Sequence, residues 1–225
     1  ESPWGRWRHQ CYLGWKRLMW RWLVGGAHVT KRVLDIVGSG CALLGLAPIF
    51  GAIALLIKLE DRGPVLFRQV RVGRHGREFR MLKFRSMRVD AEARLQELLA
   101  QNQHQGGVTF KLKDDPRVTR IGKWIRKFSL DELPQFWNVF RGEMSLVGPR
   151  PPVPREVALY TLADRRRLAV KPGITCIWQI SGRAEIDFPG QVRLDVRYIE
   201  SRSFWQDIKI LFKTVPAVLT GSGAY

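Results

Sequence analysis

The chain has 225 residues, and 38 Lys and Arg against 20 Asp and Glu give it a formal net charge of +18. Hydrophobic residues make up 45% of the chain, which excludes a disordered basic tail and is enough for a packed core. Such a charge indicates an acidic partner: nucleic acid, an anionic membrane surface or a phosphorylated substrate. The three cysteines form no pairable framework, so we expect a reducing compartment. The four histidines show no metal-ligand spacing.

Residues 1–30 are rich in aromatic and basic side chains. Five of the nine tryptophans lie here, at positions 4, 7, 15, 20 and 22, interleaved with arginine and lysine. Indole rings and guanidinium groups suit the headgroup layer of a membrane, where one part of the side chain is apolar and the other is wet. We therefore predict an interfacial N-terminal segment. The alternative is a chain end that packs on the domain.

Residues 36–57 form an apolar run of 22 residues without a charged side chain. About 20 apolar residues are needed to cross the hydrocarbon core of a bilayer as a helix. Pro48 lies within the run and lacks a backbone N–H donor, so a helix must kink or break there, and neither half is long enough to cross alone. Three interpretations follow: a kinked spanning helix, a helix that returns to the face it entered, and a buried core helix.

The charges on both sides of this run favour the returning helix. Residues 1–35 contain seven basic and two acidic residues, and residues 58–90 contain ten and four. Basic flanks stay in the cytoplasm, and only a helix that breaks at Pro48 and leaves by the same face keeps both there. We therefore divide the chain into three parts: the segment 1–30, a re-entrant membrane helix at 31–60 and one cytoplasmic domain at 61–225.

The cytoplasmic part begins with a predicted β-hairpin. Residues 64–70 and 78–84 alternate apolar and polar side chains, and residues 73–76 between them supply turn glycines. The remaining predicted elements are a helix from Asp90 to Asn102, a mobile loop at 103–108, mostly helical residues at 118–141, an extended proline-rich segment at 148–154 and a last helical stretch at about 188–219. The sequence therefore predicts an α+β fold with a small hairpin.

Two adjacent carboxylates, Asp131 and Glu132, stand out in the segment 126–135. One interpretation is structural: Ser129-x-x-Glu132 forms a capping box, or Asp131 caps a helix that has Pro134 in its first turn. The other interpretation is chemical. A carboxylate at a helix start is ionised at neutral pH, so one of the pair could be a nucleophile while its neighbour binds a divalent cation.

Basic residues elsewhere in the chain support the chemical interpretation, because they could hold phosphoryl oxygens. The candidates are Lys83, Arg85, Arg126 and Arg150. Their alternative role is a solvated surface or binding to an anionic leaflet. The chain contains no Walker loop, no G-x-S-x-G or HExxH motif and no dinucleotide fingerprint, so the carboxylate segment is the best candidate site.

An ordered set of short motifs runs through most of the chain. They are Lys31-Arg32-x-x-Asp35, the proline-broken run, Gly63-Pro64-Val65, Lys83-Phe84-Arg85-Ser86-Met87, Ser129-Leu130-Asp131-Glu132-Leu133-Pro134-Gln135, Asn138-Val139, Gly142-Glu143-Met144-Ser145-Leu146-Val147-Gly148-Pro149-Arg150-Pro151 and Lys171-Pro172-Gly173-Ile174-Thr175. From about residue 31 to the C-terminus this set resembles the bacterial sugar transferase family, the monotopic polyprenyl-phosphate phosphoglycosyl transferases. The ending, with Trp178-Gln179-x-Ser181-Gly182-Arg183, is more similar to the members that initiate exopolysaccharide or O-antigen chains than to the smallest members.

The resemblance implies a monotopic membrane protein at the cytoplasmic face of the bacterial inner membrane. It implies a re-entrant helix, and a mainly helical catalytic domain with amphipathic interfacial helices. It also implies that Asp131 attacks the β-phosphorus of a UDP-sugar, releases UMP and passes the sugar-phosphate to a polyprenyl phosphate such as undecaprenyl phosphate. Glu132 matches the position that binds Mg²⁺, and Arg126 and Arg150 match phosphate-binding positions. Four further positions are assigned to the nucleotide-sugar: Lys83, Arg85, Gln179 and Arg183.

The chain departs from the family pattern at the helix break. Ala47 precedes Pro48, where the family often has a serine whose hydroxyl could satisfy a freed carbonyl. Larger members carry spanning helices and a further domain upstream, so the chain is either a short member or the catalytic end of a larger one. The resemblance implies an anionic bilayer as a partner and no nucleic acid, and it leaves a homodimer open.

Two other functions stay open. The first is a non-catalytic basic module that binds a membrane or nucleic acid; it explains the net charge but not the pair Asp131 and Glu132 among arginines. The second is a UDP-sugar hydrolase on the same fold. Release of UMP from a UDP-sugar separates an enzyme from a binding module, and dependence on polyprenyl phosphate separates a transferase from a hydrolase. Hexoses and N-acetylated sugars both fit as the transferred group.

Overall fold

The computed structural model describes residues 3–91, 93, 115–182 and 185–220. Its first element is a long helix, α1 (Pro3–Gly45), which runs without a break through residue 30, where we expected a segment boundary. After Leu46 the second helix, α2 (Ala47–Asp61), has Pro48 in its first turn, where the missing N–H donor costs no helical hydrogen bond. The predicted break in the apolar run is therefore confirmed, and it lies at Leu46.

The two helices meet at an angle. In the described part of the chain no single helix is both long and apolar enough to cross a membrane; His28–Gly45 and α2 meet that requirement only together, as a pair bent by 59°. Leu44, beside the bend, is 81% exposed. Two residues of α2, Ile53 and Ile57, are buried in a cluster with Phe84, which attaches α2 to the rest of the protein.

The predicted hairpin is confirmed as an antiparallel pair, β1 (Leu66–Val72) and β2 (Glu78–Phe84). β1 begins two residues later than predicted, because Pro64 cannot donate to a ladder and the Val65 carbonyl accepts from the N–H of Arg85 instead. At its other end β1 continues to Val72, whose N–H donates to the carbonyl of Pro152. The hairpin is thus tied to the proline-rich segment.

The stretch predicted as mostly helical at 118–141 is divided into α3 (Arg120–Lys127), a 3₁₀ turn (Leu130–Glu132) and α4 (Gln135–Arg141). Neither predicted cap forms. The side chain of Ser129 makes no capping hydrogen bond, and Asp131 lies inside the 3₁₀ turn instead of at a helix start. The physical reason is the backbone: Ser129 has a φ of 54°, in the left-handed region, whereas a capping residue is extended.

A parallel pair of short strands, β3 (Ser145–Val147) and β4 (Gly173–Thr175), holds the centre of the domain. The two backbones lie so close together that a Cβ on Gly173 would lie 2.1 Å from the nitrogen of Gly148, the residue after β3. The N–H of Gly173 donates to the carbonyl of Pro149 at 2.9 Å. The proline-rich segment that follows β3 contains no helix or strand until Pro154, which begins α5 (Pro154–Ala158).

The last helical stretch, predicted as continuous over 188–219, is two helices, α6 (Phe188–Ser201) and α7 (Phe204–Thr220). They separate because Arg202 is extended and the Ser203 hydroxyl accepts a hydrogen bond from the N–H of Gln206, as a capping residue does. Both helices pack on a core around β3, formed by Met81, Val139, Met144, Leu146, Val147, Tyr198 and Ile210. Beyond residue 93, the helix predicted from Asp90 and the loop at 103–108 lie outside the described residues.

Three charged residues of α1 dock it on this core. Lys31 pairs with Asp207 of α7 at 2.7 Å and donates to the carbonyl of Val147. Arg32 donates to two carbonyls at the end of α4, each at 2.7 Å. Asp35 is buried and accepts hydrogen bonds of 2.9 Å from β3. The long helix α1 and the carboxylate turn, which leads into α4, therefore belong to one packed body.

Candidate active site

Asp131 and Glu132 face the end of β2 from their 3₁₀ turn. Lys83 Nζ lies 2.7 Å from Glu132 Oε1 and 3.8 Å from Asp131 Oδ2. Arg150, two residues after Gly148, places Nη1 at 3.5 Å from the same Glu132 oxygen. Asp131 is only 8% exposed, and the side chain of Arg150 is the most exposed of the four. The site is thus a carboxylate pair held between two cations, with Arg150 on its open side.

Sequence reasoning missed another basic member of this group, Arg71 of β1. Its guanidinium donates to the side chain of Gln69 and, at 2.8 Å, to the carbonyl of Pro151, the residue after Arg150. Burial and the nearby charge of Arg150 lower the pKa of Arg71 to about 10. The signal was in the sequence: strand alternation puts Arg71 on the hairpin face that carries Lys83.

The two carboxylates have opposite pKa shifts. Burial raises the pKa of Asp131, and the charge of Glu132 acts in the same direction against the opposing effect of Lys83. For Glu132 the charges of Lys83 and Arg150 outweigh burial, and its pKa falls to about 2. Glu132 is therefore ionised at neutral pH, whereas Asp131 takes up a proton more readily than an ordinary aspartate does.

The structure brings three of the predicted phosphate-binding residues to the carboxylates: Lys83, Arg150 and Arg126. Arg126 lies in the last turn of α3, and its charge acts on Asp131. Arg85 lies elsewhere, in a two-pronged ion pair with Asp61 at the end of α2. Its Nε donates to the carbonyl of Pro64 at 2.6 Å, because the chain beyond β2 runs along the end of α2. This buried arginine ties α2 to the hairpin instead of facing the carboxylates.

The remaining two predicted positions lie towards the C-terminus. Gln179 lies in a 3₁₀ turn (Trp178–Ile180), where its side-chain oxygen accepts a hydrogen bond from the Cys176 thiol at 3.0 Å. The charge of Arg150 acts on that thiol, so the electrostatic effect of Arg150 reaches this turn. Arg183 lies outside the described residues.

The carboxylate pair suits a metal ion that takes few protein ligands. Mg²⁺ binds through one or two carboxylates and completes its shell with water and substrate phosphates. Asp131 and Glu132 are adjacent and Glu132 is ionised, so they fit such a site, although Glu132 would share its charge with Lys83. Across the part of the chain that the structure describes, no group of three or more His, Cys, Asp and Glu side chains lies together, so no all-protein metal cage is found there.

Known proteins match this chain over most of its length. The family described as bacterial sugar transferase matches residues 26–221. The chain is 54% identical over 200 residues to the galactosyl transferase CpsE of Streptococcus agalactiae, covering 87% of this chain and 43% of that protein. It is 42% identical over 205 residues to the exopolysaccharide production protein ExoY of Sinorhizobium fredii, covering 90% of each. It is 46% identical over 199 residues to the undecaprenyl-phosphate galactose phosphotransferase of Salmonella typhimurium, covering 87% of this chain and 41% of that protein.

The chain thus spans less than half the length of CpsE and of the Salmonella relative, and nine-tenths of ExoY. The family match includes the docking residues of α1, the hairpin, the carboxylate turn and the paired strands β3 and β4. The resemblance inferred from the motifs is confirmed over this range. The chain belongs to the bacterial sugar transferase family.

Proposed function

We propose that this chain transfers a sugar-1-phosphate from a UDP-sugar to polyprenyl phosphate and so starts assembly of a surface glycan. In the first half-reaction a carboxylate oxygen of Asp131 attacks the β-phosphorus, the bond from that phosphorus to the bridging oxygen breaks, and UMP leaves. In the second, a phosphate oxygen of the polyprenyl phosphate attacks the same phosphorus. The aspartyl O–P bond breaks, which restores the carboxylate and yields polyprenyl-diphosphate-sugar.

The unequal environment of the two carboxylates is the observation that carries this proposal. Glu132 is held by Lys83 at 2.7 Å and by Arg150, whereas Lys83 stays 3.8 Å from Asp131. A nucleophile needs a lone pair that no strong hydrogen bond holds, and a buried carboxylate with a raised pKa is more basic than one in water. Asp131 fits the role of nucleophile, and Glu132 fits that of a fixed negative charge.

The cations around the pair fit the donor's phosphates. Lys83 and Arg150 both border Asp131 and Glu132, where the diphosphate must lie for attack at phosphorus. Charge-assisted hydrogen bonds from such groups stabilise the negative charge on phosphoryl oxygens as the leaving group departs. Arg71 holds the carbonyl of Pro151 and so acts as a positioning residue for Arg150.

We also propose Mg²⁺ as the cofactor, held by Glu132 with Asp131 beside it. When bound, the ion neutralises part of the charge on the diphosphate. Lys83 and Arg150 keep Glu132 ionised over the whole physiological pH range, so the ligand is ready without loss of a proton.

The same proposal includes a membrane placement: α1 and α2 enter the cytoplasmic leaflet of the inner membrane and return to the same face. Support comes from the 59° bend, from the exposed Leu44 and from the basic flanks. Further support comes from exposed aromatic side chains on two other helices, Trp137 and Phe140 on α4 and Trp205 and Phe212 on α7. Aromatic rings of this kind favour the interface, and the net charge of +18 favours an anionic leaflet.

The Salmonella typhimurium relative is named for undecaprenyl phosphate and galactose. We therefore take undecaprenyl phosphate as the acceptor and UDP-galactose as the first donor to assay, followed by UDP-glucose and UDP-N-acetylgalactosamine. The test is a single-turnover experiment on the full chain in detergent with Mg²⁺. UMP should appear in a burst stoichiometric with the enzyme before any polyprenyl phosphate is added. Intact-protein mass spectrometry should then show one added sugar-phosphate, on the peptide that contains Asp131.

Two isosteric variants separate the roles of the carboxylates. Asp131→Asn should abolish the adduct, while its unfolding temperature at neutral pH stays equal or rises, because a buried ionised group is removed. Glu132→Gln should still form the adduct, roughly 10²–10⁴-fold more slowly, with partial rescue by added Mg²⁺.

Four results would overturn the proposal. An adduct in Asp131→Asn would show that another residue is the nucleophile, and UMP only when both substrates are present would favour direct attack by the lipid phosphate. Continuous UMP release without polyprenyl phosphate would indicate a hydrolase. No UMP release from any donor would indicate a binding module.

A further inference from the structure

A cavity of about 660 Å³ lies where α1 docks on the domain. Its walls come from the first docked turn of α1, from β3, from the junction of α6 and α7, from Lys171 before β4 and from Arg74 at the hairpin tip. The volume is within the range of small-molecule sites, about 300–1,000 Å³. None of the residues placed above in the candidate active site lines this cavity, so it is a separate feature.

The charges that line the cavity are unbalanced. Five Lys and Arg side chains face two acidic ones, Asp35 and Asp207. Both acids are already engaged within the protein, Asp207 by Lys31 at 2.7 Å and Asp35 by two donors from β3. The other four basic residues form no ion pair with any carboxylate of the described residues. They are Arg32, Arg74, Lys171 and Arg202.

Two of these cations converge. Arg32 donates hydrogen bonds to the neutral carbonyls at the end of α4, so its charge is not matched by a carboxylate. A Cβ built on Gly142 would lie 3.2 Å from Arg32 Nη2 and 3.4 Å from Lys171 Nζ. Burial and the charges of Arg32 and Arg74 lower the pKa of Lys171, although Asp35 acts in the opposite direction. Gathering like charges in a cavity costs free energy, and a bound anion would offset that cost.

The cavity opens beside the part of the protein that we place at the membrane. Its α1 residues, between His28 and Asp35, come directly before the apolar run at 36–57. Phe204 lines it, and the next residue, Trp205, is 77% exposed. Under that placement the mouth lies at the level of lipid headgroups. The anion found at this level is phosphate, whose several oxygens can accept hydrogen bonds from ammonium and guanidinium groups together.

We propose that the cavity bordered by Arg32, Arg74, Lys171 and Arg202 binds the phosphate group of a membrane lipid. Two lipids carry this chemistry: an anionic phospholipid of the bilayer, and a polyprenyl phosphate. The bound phosphate bridges α1, β4 and the hairpin tip, and so fastens the membrane helix to the domain when the protein is on the bilayer. The position of the mouth rests on the proposed membrane placement, but the site does not depend on the chemistry of Asp131.

The test measures ligand-dependent thermal protection of the full chain in neutral detergent micelles. Three probes are titrated separately: inorganic phosphate, dihexanoyl phosphatidylglycerol and farnesyl phosphate. The variants are Arg74→Gln, Lys171→Gln and the double variant, and Arg77→Gln is the matched control, an exposed arginine of the same hairpin tip outside the cavity. Without a probe, Lys171→Gln should unfold at the same or a higher temperature, because it removes an unmatched charge. Arg74 is exposed, so its variant folds in either case.

We expect at least one lipid probe to protect the native chain, and the half-saturating concentration to rise at least about tenfold in the double variant. Arg77→Gln should bind like the native chain. Protection by phosphatidylglycerol that the double variant loses identifies the phospholipid as the source, and the same loss with farnesyl phosphate identifies the polyprenyl phosphate. The proposal fails if neither lipid probe protects the native chain, or if the double variant is protected at the native concentrations.

Discussion

Lys83 donates a 2.7 Å hydrogen bond to Glu132, the neighbour of the proposed nucleophile, and remains 3.8 Å from Asp131 itself. One cation thus acts on two adjacent carboxylates to different degrees. It helps to hold the pKa of Glu132 near 2 and only partly opposes the effect of burial on Asp131. The pair therefore divides at neutral pH into a permanently charged member and a more basic one.

The pH dependence of the UMP burst should reveal this division. Because the pKa of Asp131 is raised, the burst rate should increase with pH through a value above about 3.9, the pKa of an ordinary aspartate. Lys83→Gln removes a charge that lowers the pKa of both carboxylates, so it should slow the burst and move this acid limb to higher pH. Arg80→Gln, an exposed charge on the opposite face of β2, should leave the limb in place. An acid limb that Lys83→Gln does not move would contradict the assignment.

Two arginines, Arg85 and Arg150, should behave differently when replaced by glutamine. Arg85→Gln breaks the ion pair with Asp61 and should lower the free energy of unfolding by roughly 1–3 kcal/mol, with little change in KM for the UDP-sugar. Arg150→Gln should leave stability within about 0.5 kcal/mol but slow the burst by roughly 10²–10³-fold. Thermal unfolding and burst kinetics on the same samples check both, with the exposed Arg68→Gln as control.

The ion pair also has a pH signature. Its hydrogen bond lowers the pKa of Asp61, so the stabilisation is present above the usual aspartate pKa and is lost as the pH falls below it. If Arg85→Gln were as stable as the native chain and raised KM instead, Arg85 would be a substrate ligand.

The proposed returning path of α1 and α2 predicts one labelling pattern. Single cysteines at Val29 and Arg62, both exposed, should react alike with a membrane-impermeant reagent: both protected in intact cells and both labelled after lysis. Only Cys11 and Cys41 need replacement beforehand, because Cys176 is 1% exposed. Reaction of one site alone in intact cells would indicate a spanning helix.

Deletion of residues 1–30 should weaken membrane attachment and preserve catalysis. The cut removes the exposed Trp4, Trp7 and Trp15 but leaves the docking residues of α1 in place. Flotation with anionic vesicles should show less bound protein, and the UMP burst should persist. A full-length variant with these three tryptophans changed to serine separates the effect of the rings from that of chain length. Equal flotation of truncated and native protein would show that the segment is not an anchor.

The hairpin and the helix break could be predicted because both depend on local signals. Alternating side chains around a glycine-containing turn specify β1 and β2, and Pro48 inside an apolar run specifies the break. The division of the last helical stretch could also be predicted, since Ser203 stands where a helix cap belongs. The backbone conformation of Ser129 could not be predicted, because its left-handed conformation is imposed by the packing of the turn between α3 and β2.

The composition of the site follows the same distinction. Asp131, Glu132, Lys83 and Arg150 were identified from motifs, and the structure brings them together across long stretches of chain. Arg85 also belongs to a motif, but its partner, Asp61, lies at the end of α2. The spacing of residues around β2 does not encode where α2 ends. The motifs thus identified the residues of the site more reliably than they predicted the contacts that each residue makes.

The close approach of the backbones at Gly148 and Gly173 limits which substitutions this chain can accept. A methyl group at Gly173 would approach the nitrogen of Gly148 to 2.1 Å, so any larger residue there must force the two strands apart. Arg150 follows Gly148 by two residues, so it would move away from Glu132 if the strands were forced apart. Under the proposed function, exchange of either glycine would therefore displace Arg150, which we propose binds the phosphates common to every UDP-sugar donor.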